Sequence, residues 1–240
     1  MSLTILIPTK NEQLSIGKTI ENLIKSKIKK INYEIILIND FSTDKTVKII
    51  NKIKKKSKRK KIFNNIRPGL GSAIKVGIKK SKNDYVCIYM ADESDSIKDM
   101  IKYYNVINKN QLDAVFGSRF IKGSKVKNYP IKKLFFNRIF NNICKIFFFN
   151  TYNDYTNAFK IYKRKMLISF FPLVSENFNI FLELPLKTIS RNFKFKIIPI
   201  SWINRTKGKS KFVIKELTSK YFFTLLYCFF EKILLKKIVR

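Results

Sequence analysis

Residues Tyr85-Val86-Cys87-Ile88-Tyr89-Met90-Ala91 form an unbroken apolar run that stops abruptly at Asp92, Glu93 and Asp95. A run of this length without alternation reads as a central strand buried on both faces, which means a parallel sheet covered by helices. Open sheets of that kind bind ligands outside the carboxyl ends of their strands. The three acids are therefore candidates for a cation and phosphate site, because hard divalent cations take oxygen ligands and commonly bridge to substrate phosphates. Acids in the first turn of a helix, there for capping and for the helix dipole, read the same way in sequence.

The flanking chain extends the pattern. Leu3 to Ile7 reads as a first buried strand, with Pro8-Thr9-Lys10-Asn11-Glu12 as the loop at its carboxyl end. Ile16, Ile20, Leu23 and Ile24 keep helical spacing, and a second strand, Glu34 to Ile38, runs into Asn39-Asp40-Phe41-Ser42-Thr43-Asp44. Strand, helix, strand with short links opens a parallel α/β sheet with right-handed crossovers. Val47, Ile50 and Ile53 mark the next helix, and the basic run Lys52 to Lys61 reads as its solvated end. Arg67-Pro68-Gly69-Leu70-Gly71 leads into another helix, either as a plain turn or as a backbone approach to phosphate. Asp113 to Phe116 is a short strand, and Arg119 follows it at the rim expected for Asp92. That arginine reads equally as a phosphate ligand, a surface residue or an ion-pair partner of one of the acids. Phe195 to Ile200 is a last strand, followed by a loop from Trp202 through Arg205 to Lys211 whose cations suit an anion clamp.

Composition narrows the chemistry. The 240-residue chain contains no histidine, which removes His-activated nucleophiles, His proton shuttles and His metal sites together. Cys87, Cys144 and Cys228 are too far apart for zinc or redox motifs and read as core residues. The formal charge of +34 points to an anionic partner: nucleic acid, a membrane surface or a phosphorylated substrate. No nucleic-acid-binding motif or exposed stacking pattern accompanies the charge, so no specific nucleic-acid partner is expected.

From Lys132 to Phe149 aromatic and aliphatic bulk alternates with Lys132, Lys133, Arg138 and Lys145. This suits an interfacial helix on an anionic lipid surface; core packing and self-association are the other readings. The run Tyr221 to Phe230 is apolar all round but is interrupted by Glu231 and Lys232 before it could span a bilayer, so a helix lying on the protein or on a membrane is expected. Nothing at the amino terminus reads as a signal peptide.

Taken in order, Ile7-Pro8-Thr9-Lys10-Asn11-Glu12, Asn39 to Thr46, Gly69 to Ala73, Gly117-Ser118-Arg119-Phe120 and the stretch from Trp202 through Arg205, Gly208 and Ser210 to Lys211 resemble family-2 glycosyltransferases of the GT-A fold. The similarity is to the branch of dolichol-phosphate mannosyltransferase and bacterial polyprenyl-phosphate glycosyltransferases. It implies a Rossmann-like, mainly parallel α/β sheet flanked by helices, with a catalytic domain over 1–215 that includes an interfacial helix near 132–149. A membrane-associating helix over 216–240 would follow. By resemblance Pro8, Thr9, Asn11, Glu12, Asp40, Asp44, Gly71, Ala91 and Asp92 hold a GDP- or UDP-sugar. Asp92, with Asp95, ligates Mg2+ or Mn2+. Arg119 joins Asp92 in catalysis, and Arg119, Arg138, Arg205 and Lys211 meet acceptor phosphate. Two residues depart from the family pattern: Met90 stands where the metal motif has its first acid, and Asn39 replaces an acid of the nucleotide loop.

The implied reaction moves a mannose- or glucose-type sugar to a polyprenyl or dolichyl phosphate with inversion. It would take place at the inner, cytoplasmic face of a membrane to which the enzyme binds peripherally. A phosphate acceptor is already ionised, which suits a chain with no histidine. The other enzymatic reading is a sugar-hydroxyl acceptor in surface polysaccharide synthesis, which needs a general base: Asp154, Glu176 or Glu183.

Overall fold

The computed structural model describes residues 1–54, 59–205 and 214–238. Its strands are β1 (Ser2–Thr9), β2 (Asn32–Asn39), β3 (Lys60–Asn64), β4 (Tyr85–Ile88), β5 (Ala114–Ser118), β6 (Lys125–Lys127), β7 (Lys160–Lys163), β8 (Phe195–Pro199) and β9 (Ser201–Ile203). Its helices are α1 (Ile16–Lys25), α2 (Thr46–Lys54), α3 (Leu70–Lys80), α4 (Ile97–Lys109), α5 (Ile131–Phe148), α6 (Arg164–Ser169), α7 (Ile180–Ser190) and α8 (Ile214–Ile238).

Seven strands form one sheet in the order β3-β2-β1-β4-β7-β5-β8, and all pairings are parallel except those of β7, which runs antiparallel between β4 and β5. Alternation along the strands splits the core into two layers. Leu3, Ile5, Ile7, Ile35 and Leu37 pack toward α1, α2 and α4, whereas Leu6, Ile36, Ile38, Val86 and Ile88 pack toward α3 and α5 to α8. The expected mainly parallel sheet between two helical layers is therefore present.

Chain order reverses at β1: β2 and β3 are added on one side of it, then β4 on the other. This is the topological switch point at which such sheets open a crevice. The local cause is visible in the ladder, because the pairing of β1 with β4 stops at Leu6. The strand then continues through Pro8, which has no N–H to offer a neighbour. The apolar run ends as a strand at Ile88, three residues short of the Ala91 that closes it in sequence, and the chain then turns toward Asp92.

The basic run 52–61 differs from its reading as a solvated helix end. Residues 55–58 lie outside the described part, but Lys60 begins the edge strand β3, where it is buried and its Nζ donates to the Ile53 carbonyl at 2.7 Å. A lysine can enter a sheet edge when its ammonium finds an acceptor and its stem packs. A second, two-stranded sheet pairs β6 with β9. It rests on the acidic turn through an Asp95–Trp202 bridge and the Ile203 N–H donating to the Ser94 carbonyl at 3.2 Å.

Candidate active site

Three loops meet at the carboxyl edge of β1, β2 and β4. The first two are interlocked: Asn11, held at φ 49°, accepts from the Thr43 N–H at 2.8 Å and donates its own N–H to Ser42 Oγ at 3.1 Å. The Glu12 N–H donates to Thr46 Oγ1 at 2.8 Å. Asp44 accepts from Thr46 N at 2.9 Å and from Gln13 N at 3.2 Å, serving both as cap of α2 and as tie to the first loop. Asp40 is buried, and its Oδ1 accepts from Asn65 Nδ2 at 2.8 Å and from the Gly69 N–H at 3.0 Å, which anchors the Pro-Gly turn. Gly71 needs its missing side chain there, because a Cβ would come 2.5 Å from the Ser175 carbonyl oxygen.

The sequence-derived nucleotide set thus falls into two groups. Asn11, Glu12, Asp44 and Asp92 are exposed or half-buried at the loop surface, whereas Pro8, Thr9, Asp40, Gly71 and Ala91 are buried beneath it. Thr9 Oγ1 donates to the Ile38 carbonyl, and the Ala91 carbonyl accepts from Thr19 Oγ1 at 2.9 Å.

The acidic turn after β4 is a tight one. Asp92 Oδ1 accepts from the Ser94 N–H at 3.1 Å, Glu93 sits at φ 62°, and its carboxylate pairs with Lys18 at 2.6 Å. Asp95 points inward, where its Oδ2 accepts from the Met90 N–H at 3.3 Å, and burial, with Asp92 adding to it, pushes its carboxyl up to about 7. Asp92 is held from the other side by Arg205, whose Nη2 lies 3.1 Å from Asp92 Oδ2 and 3.0 Å from Glu12 Oε1. Burial pulls the Arg205 pKa down, but Asp92 and then Glu12 outweigh it and hold the group above its ordinary value. One guanidinium therefore gathers a carboxylate from each side of the switch point.

These donors suit a divalent cation in kind and not yet in number. Among the described residues no three acidic or cysteine side chains converge as a ready-made metal cage. Asp92 offers an oxygen that now faces a positive charge, and Mg2+ or Mn2+ sites complete such a shell with water and substrate phosphates. The residues fit a cation that arrives with a diphosphate.

The arginines expected on acceptor phosphate are differently placed. Arg119 is buried, and its Nε and Nη2 grip Asp154 at 2.9 and 2.7 Å while its backbone N–H donates to the same carboxylate at 2.9 Å. Desolvation lowers its pKa and Asp154 more than restores it, leaving it raised. The rings of Tyr129 and Trp202 stand 5.1 and 5.3 Å from its guanidinium carbon. Arg138 stacks on Phe120 at 4.4 Å and donates to the Asn153 carbonyl at 2.9 Å, and no carboxylate pairs with it among the described residues. Lys211 lies outside the described residues.

The Arg119–Asp154 pair, with its aromatic wall, was not visible in the sequence, since 35 positions separate its members. Of the three acids considered as a general base, Asp154 is sealed under Arg119, and Glu183 is buried and accepts from the Val174 and Ser175 N–H groups at 3.0 and 2.8 Å. Glu176 remains half exposed, paired with Lys75 at 2.5 Å beside the Gly69–Gly71 turn.

Comparison with known proteins bears on the family and the fold. A dolichol-phosphate mannosyltransferase of Pyrococcus furiosus is 32% identical over 130 residues, covering 54% of this chain and 36% of that protein. A dolichyl N-acetyl-alpha-D-glucosaminyl phosphate glucuronosyltransferase-type enzyme of Methanococcus voltae is 35% identical over 114 residues, covering 45% and 36%. A poly(ribitol-phosphate) beta-glucosyltransferase of Bacillus spizizenii is 28% identical over 132 residues, covering 54% and 20%. The chain thus aligns with well under half the length of each. Among solved structures, glucosyl-3-phosphoglycerate synthase of Mycobacterium tuberculosis, crystallised with Mn2+, UDP and phosphoglyceric acid, superposes with a TM-score of 0.72 at 13% identity, covering 95% of this chain and 78% of that one. At that identity the likeness speaks for the fold. Residues 4–171 match the glycosyl transferase family 2 profile. The chain belongs to glycosyl transferase family 2.

Proposed function

We propose that this chain transfers a mannose- or glucose-type sugar, with inversion, from a GDP- or UDP-sugar to a polyprenyl phosphate at the inner face of a membrane. The observation that carries the reading is the meeting of Glu12 and Asp92 at one guanidinium across the switch point. Carboxylates held at that position by an exchangeable positive charge suit the divalent cation of a metal–diphosphate complex. When bound, Mg2+ or Mn2+ would be held by Asp92, with Asp95 behind it, and would neutralise charge on the diphosphate.

The chain's own part is to position two anions. Asn11, Glu12, Asp40 and Asp44 form the wall proposed for base and ribose. Arg205 stands where it can turn from the carboxylates toward a leaving diphosphate. Arg138, without a carboxylate partner among the described residues, is the better placed arginine for acceptor phosphate, while Arg119 holds the Asp154 loop. An acceptor phosphate oxygen attacks the anomeric carbon, the bond to the diphosphate breaks, and the nucleoside diphosphate leaves with the bonding electrons. No proton need be removed, which accords with the commitment of Asp154 and Glu183 elsewhere. The name of the Pyrococcus relative supports this acceptor class, while that of the Methanococcus relative, which extends a sugar already carried on dolichyl phosphate, supports a lipid-linked acceptor more broadly.

The lipid acceptor also suits the surface of α5. Phe135, Phe136, Ile146 and Phe149 are 62, 56, 69 and 88% exposed, next to Lys132, Lys133 and Lys145. An apolar helix face with a basic border is the composition of a peripheral membrane contact. No helix among the described residues is long and apolar enough to cross a membrane. On this reading residues 1–215 act as the catalytic unit, and the C-terminal helix adds to the membrane contact.

A sugar-hydroxyl acceptor is the second reading, favoured by half-exposed Glu176 beside the glycine turn and by the name of the Bacillus relative. Incubation with labelled GDP- or UDP-sugar and a short polyprenyl phosphate, followed by organic extraction, separates the two. Label in the organic phase, abolished by Asp92→Asn in a variant that still folds, is the expected result. Label only in water-soluble product moves the reading to the hydroxyl acceptor, and turnover by Asp92→Asn removes Asp92 from catalysis.

A further inference from the structure

At the edge of the sheet away from the candidate active site, an apolar cleft of about 580 Å³ lies between α8 and the segment from Phe170 to Arg191. Its position follows from the chain path. Arg191 directly precedes β8, and Phe170 follows β7 and the short α6, so both stand at the amino ends of the parallel strands.

The cleft wall is Phe223, Leu226, Phe230 and Leu234 of α8, four residues at helical spacing over about 16 Å of helix. The inward stripe of the same helix, Tyr221, Leu225 and Cys228, is buried against α7 and α5. A helix packed by one apolar face and leaving a second apolar face open is an unfinished burial. Phe230 and Leu234 remain 57 and 58% exposed.

The floor is charged and unevenly so. Lys187, only 1% exposed, donates to Glu231 Oε2 at 2.5 Å, and Arg191 donates from Nε to Glu231 Oε1 at 2.8 Å. Two cations share one carboxylate. Glu231 is the only hydrogen-bond acceptor of the Lys187 ammonium among the described residues, although that group carries three N–H donors. Glu183, one turn earlier on α7, is turned to the Val174 and Ser175 N–H groups and makes no ion pair with Lys187. A buried ammonium in excess of its counter-charge is costly and favours an anion from outside.

We propose that this cleft binds one anionic lipid, its chain along Phe223, Leu226, Phe230 and Leu234 and its head group on Lys187 and Arg191. The site is separate from the donor crevice and does not depend on the transferase reading. An apolar wall continuous with the exposed face of α8 gives a chain a route in from a membrane surface, and the cation pair gives it a polarity. The arrangement holds a lipid as a ligand of the fold and leaves the reacting lipid to the opposite rim.

Dodecyl phosphate below its micelle concentration is the probe, with a neutral dodecyl glycoside and inorganic phosphate as controls. Thermal shift and calorimetry are read on the whole chain. Dodecyl phosphate is expected to raise the melting temperature and to bind about tenfold or more tighter than the neutral chain, while phosphate alone does nothing. Lys187→Met leaves Glu231 and Arg191 as a matched pair and removes the preference for the anion. Leu234→Glu, at an exposed position, weakens both amphiphiles and leaves the melting temperature of the free protein unchanged, so a folding defect in the first variant does not decide the matter. Equal affinity for anionic and neutral chains, or undiminished binding by Leu234→Glu, overturns the proposal. So does a concentration-dependent dimer that Leu234→Glu dissolves and dodecyl phosphate does not compete with, since the occupant is then a second copy. None of these readouts involves sugar transfer, so failure here leaves the donor reading standing, and failure there leaves this one.

Discussion

Arg205 and Asp92 face each other across the topological switch point of the sheet, Nη2 to Oδ2 at 3.1 Å, although 113 positions separate them in sequence. The same nitrogen reaches Glu12 at 3.0 Å, so the arginine already occupies the charge balance that a divalent cation would enter. A cation binding Asp92 without donor must compete with it. Arg205→Met is accordingly expected to bind Mn2+ more tightly than the wild type in the absence of nucleotide, by about tenfold, since loss of a partly buried counter-charge is worth roughly 1–3 kcal/mol. Without metal the same variant melts lower, because Glu12 and Asp92 are left facing each other unneutralised. Titration calorimetry with Mn2+ alone reads the first effect. Unchanged Mn2+ affinity in Arg205→Met would mean that the guanidinium and the metal do not share Asp92.

Asp154 holds Arg119 through both side-chain oxygens, and neither residue reaches the surface to any extent. Removing one member strands a buried charge, so Asp154→Ala is expected to lose about 3–5 kcal/mol in urea unfolding. Replacing both residues by apolar ones of similar volume should recover much of that loss. The recovery is what separates a structural pair from a reactive one: if the double variant regains stability but transfers no sugar, Arg119 also acts on substrate. If it regains both, the pair only braces the loop.

The α5 surface offers a test independent of chemistry. Phe135 and Phe136 project 62 and 56% of their surface into solvent, and neither belongs to the buried core. Phe135→Ser with Phe136→Ser should leave the melting temperature unchanged while weakening co-sedimentation with phosphatidylglycerol vesicles by about tenfold or more, because a buried Phe is worth roughly 1.5–3 kcal/mol. High salt should weaken binding further, through the neighbouring lysines. Equal sedimentation of variant and wild type would place the lipid contact elsewhere.

The elements that could be read in advance are those whose burial is written locally. Tyr85 to Ile88, Ile35 to Ile38 and Ile5 to Ile7 are unbroken apolar runs, and parallel strands covered on both faces leave that mark. Strand β3 was hidden because an edge strand tolerates Lys60 and Lys61, one sheltered by a carbonyl and the other by Glu34 at 2.8 Å, so charge masked the pattern. At the site the acidic turn was legible as a place, but the partners of its arginines were not. Arg119 follows a rim strand and looks like a phosphate ligand until the fold brings Asp154 under it. Nothing in local spacing encodes which of two long-range partners an arginine meets.

Lys160 is the second buried charge near that loop, on the antiparallel strand β7. Its ammonium donates to the Tyr155 carbonyl at 3.0 Å and also to that of Asn157, and burial, only partly offset by Asp154, pushes its pKa down to about 7. In the unfolded chain a lysine titrates near 10.4, so between about pH 7 and 10.4 the unfolded state binds more protons than the native one. Stability contributed through this group therefore rises with pH across that window. Below about 7 both states carry the charge and the cost of burying it is felt in full. Urea unfolding of the wild type should show a gain on the order of a few kcal/mol relative to Lys160→Met as pH goes from about 6.5 to 9.5, with the two curves diverging in that range. The comparison with the variant removes the contribution of the many surface lysines, which titrate alike in both proteins. Parallel curves would mean that Lys160 keeps its proton throughout, and that the carbonyls of Tyr155 and Asn157 with the nearby Asp154 carboxylate compensate its charge inside the fold.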